Sequence, residues 1–320
     1  MKKIGMLVLL AATFAVAQPS ITSTMVATPD ASGIVPTSRS VPFVRYQTPS
    51  AVDVYCAGFV SKDRVPDANF VTGGLETPTD TKFENGEIVY LSGHNYQIGQ
   101  LYNVVRELRD VNEYEIYPGL RKLLSSVGHP YADVGRIRVV DLRGKGAIAE
   151  VVHSCDSINP GDVALPFAER EPIAFHVPGH YDRFAPPNSK LSGRIVLAKD
   201  FDLVLGTGNT VYLNVGSNQG VKTGDYFRVM RSYTSTLENP VDSLSFKVQA
   251  SEDTQMRPPT TEANFMTKGK GPNIRVEDLP RRAVGEIVVL NTTPNSSAAM
   301  LVFAFEDVYA GDNVESDPQE

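Results

Sequence analysis

Tryptophan is absent from the 320 residues, cysteine occurs twice, and after the first twenty positions no apolar run is long enough to cross a bilayer. Without indole rings, the aromatic platforms that commonly grip sugar rings are reduced to tyrosine and phenylalanine. Cations are also in deficit: 30 Lys and Arg stand against 37 Asp and Glu, a net charge of −7. That balance excludes the basic footprint that nucleic acid requires and gives no purchase on anionic lipid. Chemical signatures are missing too. The chain has no phosphate-binding glycine loop, no Gly-x-Ser-x-Gly elbow and no paired-carboxylate pattern. Gly206-Thr207-Gly208-Asn209 lacks the third glycine and the helix of a dinucleotide loop, and reads as a turn between strands.

The chain begins with Lys2 and Lys3, an apolar stretch from Ile4 to Phe14, and the small residues Ala15-Val16-Ala17. This is the pattern of a secretory signal peptide over residues 1–17, with cleavage expected before Gln18. No cysteine follows the cleavage box, so a lipid anchor is not expected. Loss of the two lysines takes the mature charge to −9. A soluble exported protein of the periplasm follows as the expectation. Cys56 and Cys155 then meet an oxidising compartment, and a disulfide between them is the favoured reading.

Residues 18–50, rich in Ser, Thr and Pro, read as an extended leader. Beyond it the dominant feature is a duplication. Val134-Gly135-Arg136-Ile137-Arg138-Val139 returns as Val284-Gly285-Glu286-Ile287-Val288-Val289, and Pro160-Gly161-Asp162 returns as Ala310-Gly311-Asp312. Both copies share one offset of 150 residues without a gap. Val89-Tyr90-Leu91 likewise matches Val211-Tyr212-Leu213, and the run from Gly99 to Arg106 matches that from Gly224 to Arg231. Asp53 to Val60 reads as the opening strand of the first copy, with its Gly58 set against Gly193 of the second.

Short alternating strands, plentiful Gly and Pro, and turn signals such as Asn85-Gly86 predict an all-β chain. Two tandem six-stranded barrel-like modules are expected, over residues 51–166 and 191–315. A proline-rich linker (167–190) joins them, and residues 316–320 form an acidic tail. In each copy one strand face is expected to point inward. In the first it comprises Ala147, Ala149, Val151, His153 and Cys155, and in the second Ser297, Ala299, Leu301, Phe303 and Phe305.

Candidate chemistry is thin. His176, His180 and Asp182 have usable spacing for a metal, but they sit in the proline-rich linker with no cysteine beside them. His153 and Cys155 share a strand face, but Phe303 and Phe305 hold the equivalent places, which marks packing positions. No catalytic residue, metal or cofactor is therefore assigned. The insertion 237–283 carries basic clusters in an acidic chain, and Lys268, Lys270, Arg281 and Arg282 are expected to meet an acidic partner surface.

The run Val-Tyr-Leu-Asn-x-Gly-x-x-x-Gly-Val-x-x-Gly-Asp (Val211 to Asp225), followed by Val-Gly-Glu-Ile-x-Val and a closing Gly-Asp, resembles the C-terminal β-domain of the flagellar assembly protein T family. The resemblance implies a periplasmic assembly module that acts through protein contacts. The expectation is a non-enzymatic envelope structural or adaptor protein with unidentified envelope protein partners, and homo-oligomerisation is left open. The rival is a module binding peptidoglycan or surface polysaccharide.

Overall fold

The computed structural model describes residues 46–109, 119–174, 182–187, 190–232 and 280–317. Residues 1–17, read from the sequence as a signal peptide, most of the stretch 18–50, and positions 237–279 of the insertion lie outside the described residues.

The first module opens with helix α1 (Ala51–Tyr55) and strand β1 (Phe59–Ser61). Then follow β2 (Phe70–Gly74), β3 (Ile88–Ser92), β4 (Leu101–Glu107), helix α2 (Leu120–Val127), β5 (His129–Arg143), β6 (Gly146–Ser154) and β7 (Val163–Pro166). The second comprises β8 (Ser192–Ala198), β9 (Val204–Leu205), β10 (Thr210–Leu213), β11 (Tyr226–Arg231), β12 (Arg282–Thr292), β13 (Ser297–Ala304), β14 (Val308–Tyr309) and β15 (Asn313–Asp317).

Each module closes a six-stranded antiparallel barrel, in the orders β2-β3-β6-β5-β4-β7 and β8-β10-β13-β12-β11-β15. The two orders are the same topology, and the agreement extends to single pairs. Val89 faces Ala149 as Val211 faces Ala299, and Tyr102 faces Ile137 as Phe227 faces Ile287. Closure removes the free sheet edges that an open six-stranded sheet would expose. Ile137, Val139, Ala149 and Val151 fill the first interior, and Ile287, Val289, Ala299 and Leu301 fill the second.

Three sequence expectations are corrected. Asp53 to Val60 is not a strand. Ser50 accepts from the Asp53 amide while Asp53 accepts from the Ser50 amide, a capping box that starts α1; only Phe59 onward is extended. The true counterpart of β8 is β2, since Val71 faces Leu91 as Ile195 faces Leu213. Gly58 therefore does not correspond to Gly193.

β2 went unread because Gly73 and Gly74 stand where Leu197 and Ala198 stand in the second copy. A Cβ at Gly73 would lie 2.7 Å from Thr77 Oγ1, and one at Gly74 would lie 2.5 Å from the Phe83 ring. Glycine here admits a loop laid over the strand.

Lastly, the inward face does not run the whole strand. Arg136 faces His153 while Ile137 faces Val151, so Val152 is a bulge that turns the residues beyond it outward. Val302 is the same bulge in the second copy, and Phe303 accordingly packs on the outer side.

Candidate functional site

The two barrels meet through a wedge supplied by the first module. α1 packs on β12, β1 on β13 and α2 on β8, all on the outer face of the second barrel. Val54, Ala57, Val60, Leu120 and Val127 share one core there with Tyr212, Val288, Leu290, Met300 and Val302. This explains why β12 and β13 read as nearly unbroken apolar runs. Both their faces are buried, one inside the barrel and one beneath the wedge.

Polar contacts fix the wedge in register. Tyr212 Oη donates to the Ala57 carbonyl at 3.1 Å, and the hydroxyls of Thr293 and Ser296 both donate to the Val60 carbonyl, at 3.0 and 2.8 Å. Gly58 sits between them with φ +70°, where a Cβ would fall 2.4 Å from Tyr212 Oη and 2.5 Å from the Tyr131 carbonyl. Only glycine allows that approach. The Gly58 amide donates to buried Asp133, which also accepts from Arg170 at 2.9 Å, and Arg170 in turn donates to the Val54 carbonyl. The linker is thus tied to α1 and β5 at one carboxylate.

A disulfide joins Cys56, at the end of α1, to Cys155, just past β6, with the Cα atoms 5.7 Å apart. The pairing agrees with the sequence expectation. His153 Nε2 lies 3.7 Å from Cys56 Sγ. Beside it, the Arg136 guanidinium is sandwiched between the Tyr55 and Phe167 rings, 4.3 and 4.0 Å from their centroids. Such stacking contributes about 1–2 kcal/mol when desolvated.

The remaining sequence candidates are placed as follows. Arg281 forms a two-pronged pair with Glu315 and donates to the Ala185 carbonyl. Arg282 pairs with Glu306, which Arg183 also reaches. The charges of both arginines are therefore matched by carboxylates of the second module, whereas Lys268 and Lys270 lie outside the described residues. His176 and His180 also lie outside, and Asp182 accepts from the Phe184 amide. In the turn Gly206 to Asn209, the Gly206 amide donates to the Asn209 side chain.

Sequence reading missed two arginines. Arg106 donates through Nε and Nη2 to Asp162 and through Nη2 to the Ser157 carbonyl. Arg231 makes the same contacts with Asp312 and the Asp307 carbonyl. The closing Gly-Asp turn is thus held by a guanidinium fork from the third barrel strand in both copies. The available signal was that Arg106 and Arg231 end the same matched strand.

A third polar group has no counterpart in the first barrel. Glu286 is buried, and its carboxyl faces that of Asp317, which needs a shared proton to make the hydrogen bond. Burial, then Asp317, push Glu286 up to about 8, against the pull of Arg228.

Open clefts border the second barrel. One of about 560 Å³ lies between the linker residues Glu171 to Ala174 and the turn Lys222 to Asp225. Another, of about 440 Å³, is lined by residues that include Arg194, Asn214, Arg281 and Glu315. No protein-family model matches the chain, and no curated protein matches it.

Proposed function

We propose that this chain is a non-enzymatic structural or adaptor protein, exported to the cell envelope, that works through protein–protein contacts. The observation that carries the reading is the use of one whole barrel face to lock the modules together. A framework of fixed geometry is what an adaptor presenting two surfaces requires. The charged groups fit the same reading: the arginine forks recur at equivalent places in both barrels and hold turns. The disulfide suits an oxidising compartment. Among the described residues no helix is long and apolar enough to cross a membrane. The likeness of the Val211 to Asp225 run to assembly modules points the same way.

The test is to replace residues 240–275 by a short Gly-Ser linker and to compare co-purifying proteins and thermal unfolding. Retained folding with lost partners is expected. Unchanged partners, or sedimentation of the intact protein with peptidoglycan and not with protein, would favour the polysaccharide-binding reading instead.

A further inference from the structure

The bulge at Val152 turns His153 outward toward the end of α1, where its Nε2 lies 3.7 Å from Cys56 Sγ. One ring nitrogen of His153 and the sulfurs of Cys56 and Cys155 all lie within 4.8 Å of one another. Metal–sulfur bonds of about 2.3 Å and metal–nitrogen bonds of about 2.0 Å set the donors of one ion roughly 3.5–4 Å apart. The cluster is therefore close to the size of a coordination shell, except that its two sulfurs are bonded to each other. Barrel packing does not call for these donors. In the second module the equivalent residues are Phe303 and Phe305, whose rings meet edge to face at 5.2 Å.

The donors are anchored by more than the sulfur bond. The Cys56 amide donates to the Val52 carbonyl at 2.8 Å, and the Cys155 amide to the Val134 carbonyl at 2.9 Å. His153 is held in β6 opposite Arg136 of β5. Opening the disulfide thus leaves both cysteines fixed by backbone, with their Cα atoms 5.7 Å apart. Cys56 is buried, while His153 and Cys155 are half-buried, so an ion reaches the cluster from their side.

We propose that Cys56, His153 and Cys155 bind one cuprous ion when the disulfide is reduced. The inference goes beyond the adaptor reading and does not depend on it. Two thiolates and an imidazole are soft donors, which select cuprous ion, and only three donors meet here among the described residues, whereas a structural zinc site takes four. Charge favours the same ion. A monovalent cation on two thiolates carries a net charge of −1, and a divalent one carries none. Arg136, opposite His153 and stacked on Tyr55 beside Cys56, offers the compensating charge: its Nε is buried without a hydrogen-bond partner, and among the described residues no carboxylate pairs with it. The switch is chemically balanced. A dithiol gives two electrons to the disulfide and leaves as its own disulfide, and the ion then displaces the two thiol protons. The disulfide and the ion exclude each other, and either one ties α1 to β6.

The test uses the mature chain reduced with a dithiol, which is then removed by anaerobic gel filtration. Cuprous ion is titrated in against a chromophoric chelator. One ion per reduced chain is expected, with a thiolate-to-copper charge-transfer band, and none on the oxidised chain. Cys155→Ser should abolish the band. His153→Ala should weaken binding by at least about tenfold, the loss that follows removal of even an outer partner of a metal ligand. Reduced wild type in urea should also bind more weakly than in buffer, a comparison that holds even if the variants fold poorly. Zinc chloride at equal concentration should not displace the copper. A reduced chain that takes no ion, equal binding by the oxidised chain, equal affinity in His153→Ala or in urea, or a preference for zinc would each overturn the proposal.

Discussion

Tyr212 in the second barrel donates its hydroxyl to the carbonyl of Ala57, which lies 155 residues earlier in the chain. Its counterpart Tyr90 shares its place in the barrel, but among the described residues no such wedge lies above it. Tyr212→Phe should therefore destabilise by about 1–2 kcal/mol, because the buried Ala57 carbonyl loses its donor. Tyr90→Phe should change stability by less than about 0.5 kcal/mol. Urea midpoints of the two variants provide the comparison.

Gly58→Ala should cost more than Tyr212→Phe. The added methyl meets both the Tyr212 hydroxyl and a backbone carbonyl, and the residue must also hold φ +70°. A loss above about 2 kcal/mol is expected. Gly86→Ala is the control. It too has positive φ, at 85°, but a Cβ there meets nothing within 4 Å, so it should lose only the backbone term.

Much of this fold was legible because the duplication conserves pairing partners. An ungapped offset of 150 residues is the expected trace of two strands that keep both register and bulges, and β5–β6 and β12–β13 do so at every shift. Three features were hidden for physical reasons. β2 carries glycines where a loop presses on it, so its apolar pattern is erased. The bulges at Val152 and Val302 invert the alternation, so His153 and Phe303 look inward in sequence and are not. The wedge joins α1, β1 and α2 from separate stretches, and no local period encodes it. Its trace is the apolar excess of the second copy, Val288 and Met300 standing where the first has Arg138 and Glu150.

The disulfide closes a separation of 99 residues and, in the chain-entropy view, contributes about 4–5 kcal/mol. Thiol labelling of denatured, unreduced protein should find no reactive cysteine. The double variant with Cys56→Ser and Cys155→Ser should unfold at a lower midpoint by that order, and α1 should exchange its amide hydrogens faster than β12.

The arginine forks should be of similar worth in both barrels. Arg231→Met leaves Asp312 with its fork removed, and Arg106→Met does the same to Asp162; each should cost about 3 kcal/mol. Because the two sites sit in separate barrels, the double variant should be additive within about 0.5 kcal/mol.

Glu286 sets a pH dependence. Its folded pKa of about 8 lies above the ordinary 4.5, so between those values the native state binds more protons than the unfolded chain. Stability from this group is complete below about pH 4.5 and is lost as pH rises through 8. Glu286→Gln keeps the shape without the ionisation, so its melting temperature should fall less than that of the wild type between these limits.

The claim that the two barrels form one cooperative unit is tested most directly by calorimetry of the oxidised chain. The account predicts a single unfolding transition whose calorimetric and van't Hoff enthalpies agree, and which splits in two in Gly58→Ala combined with Tyr212→Phe. Two separate transitions in the unmodified protein would contradict it.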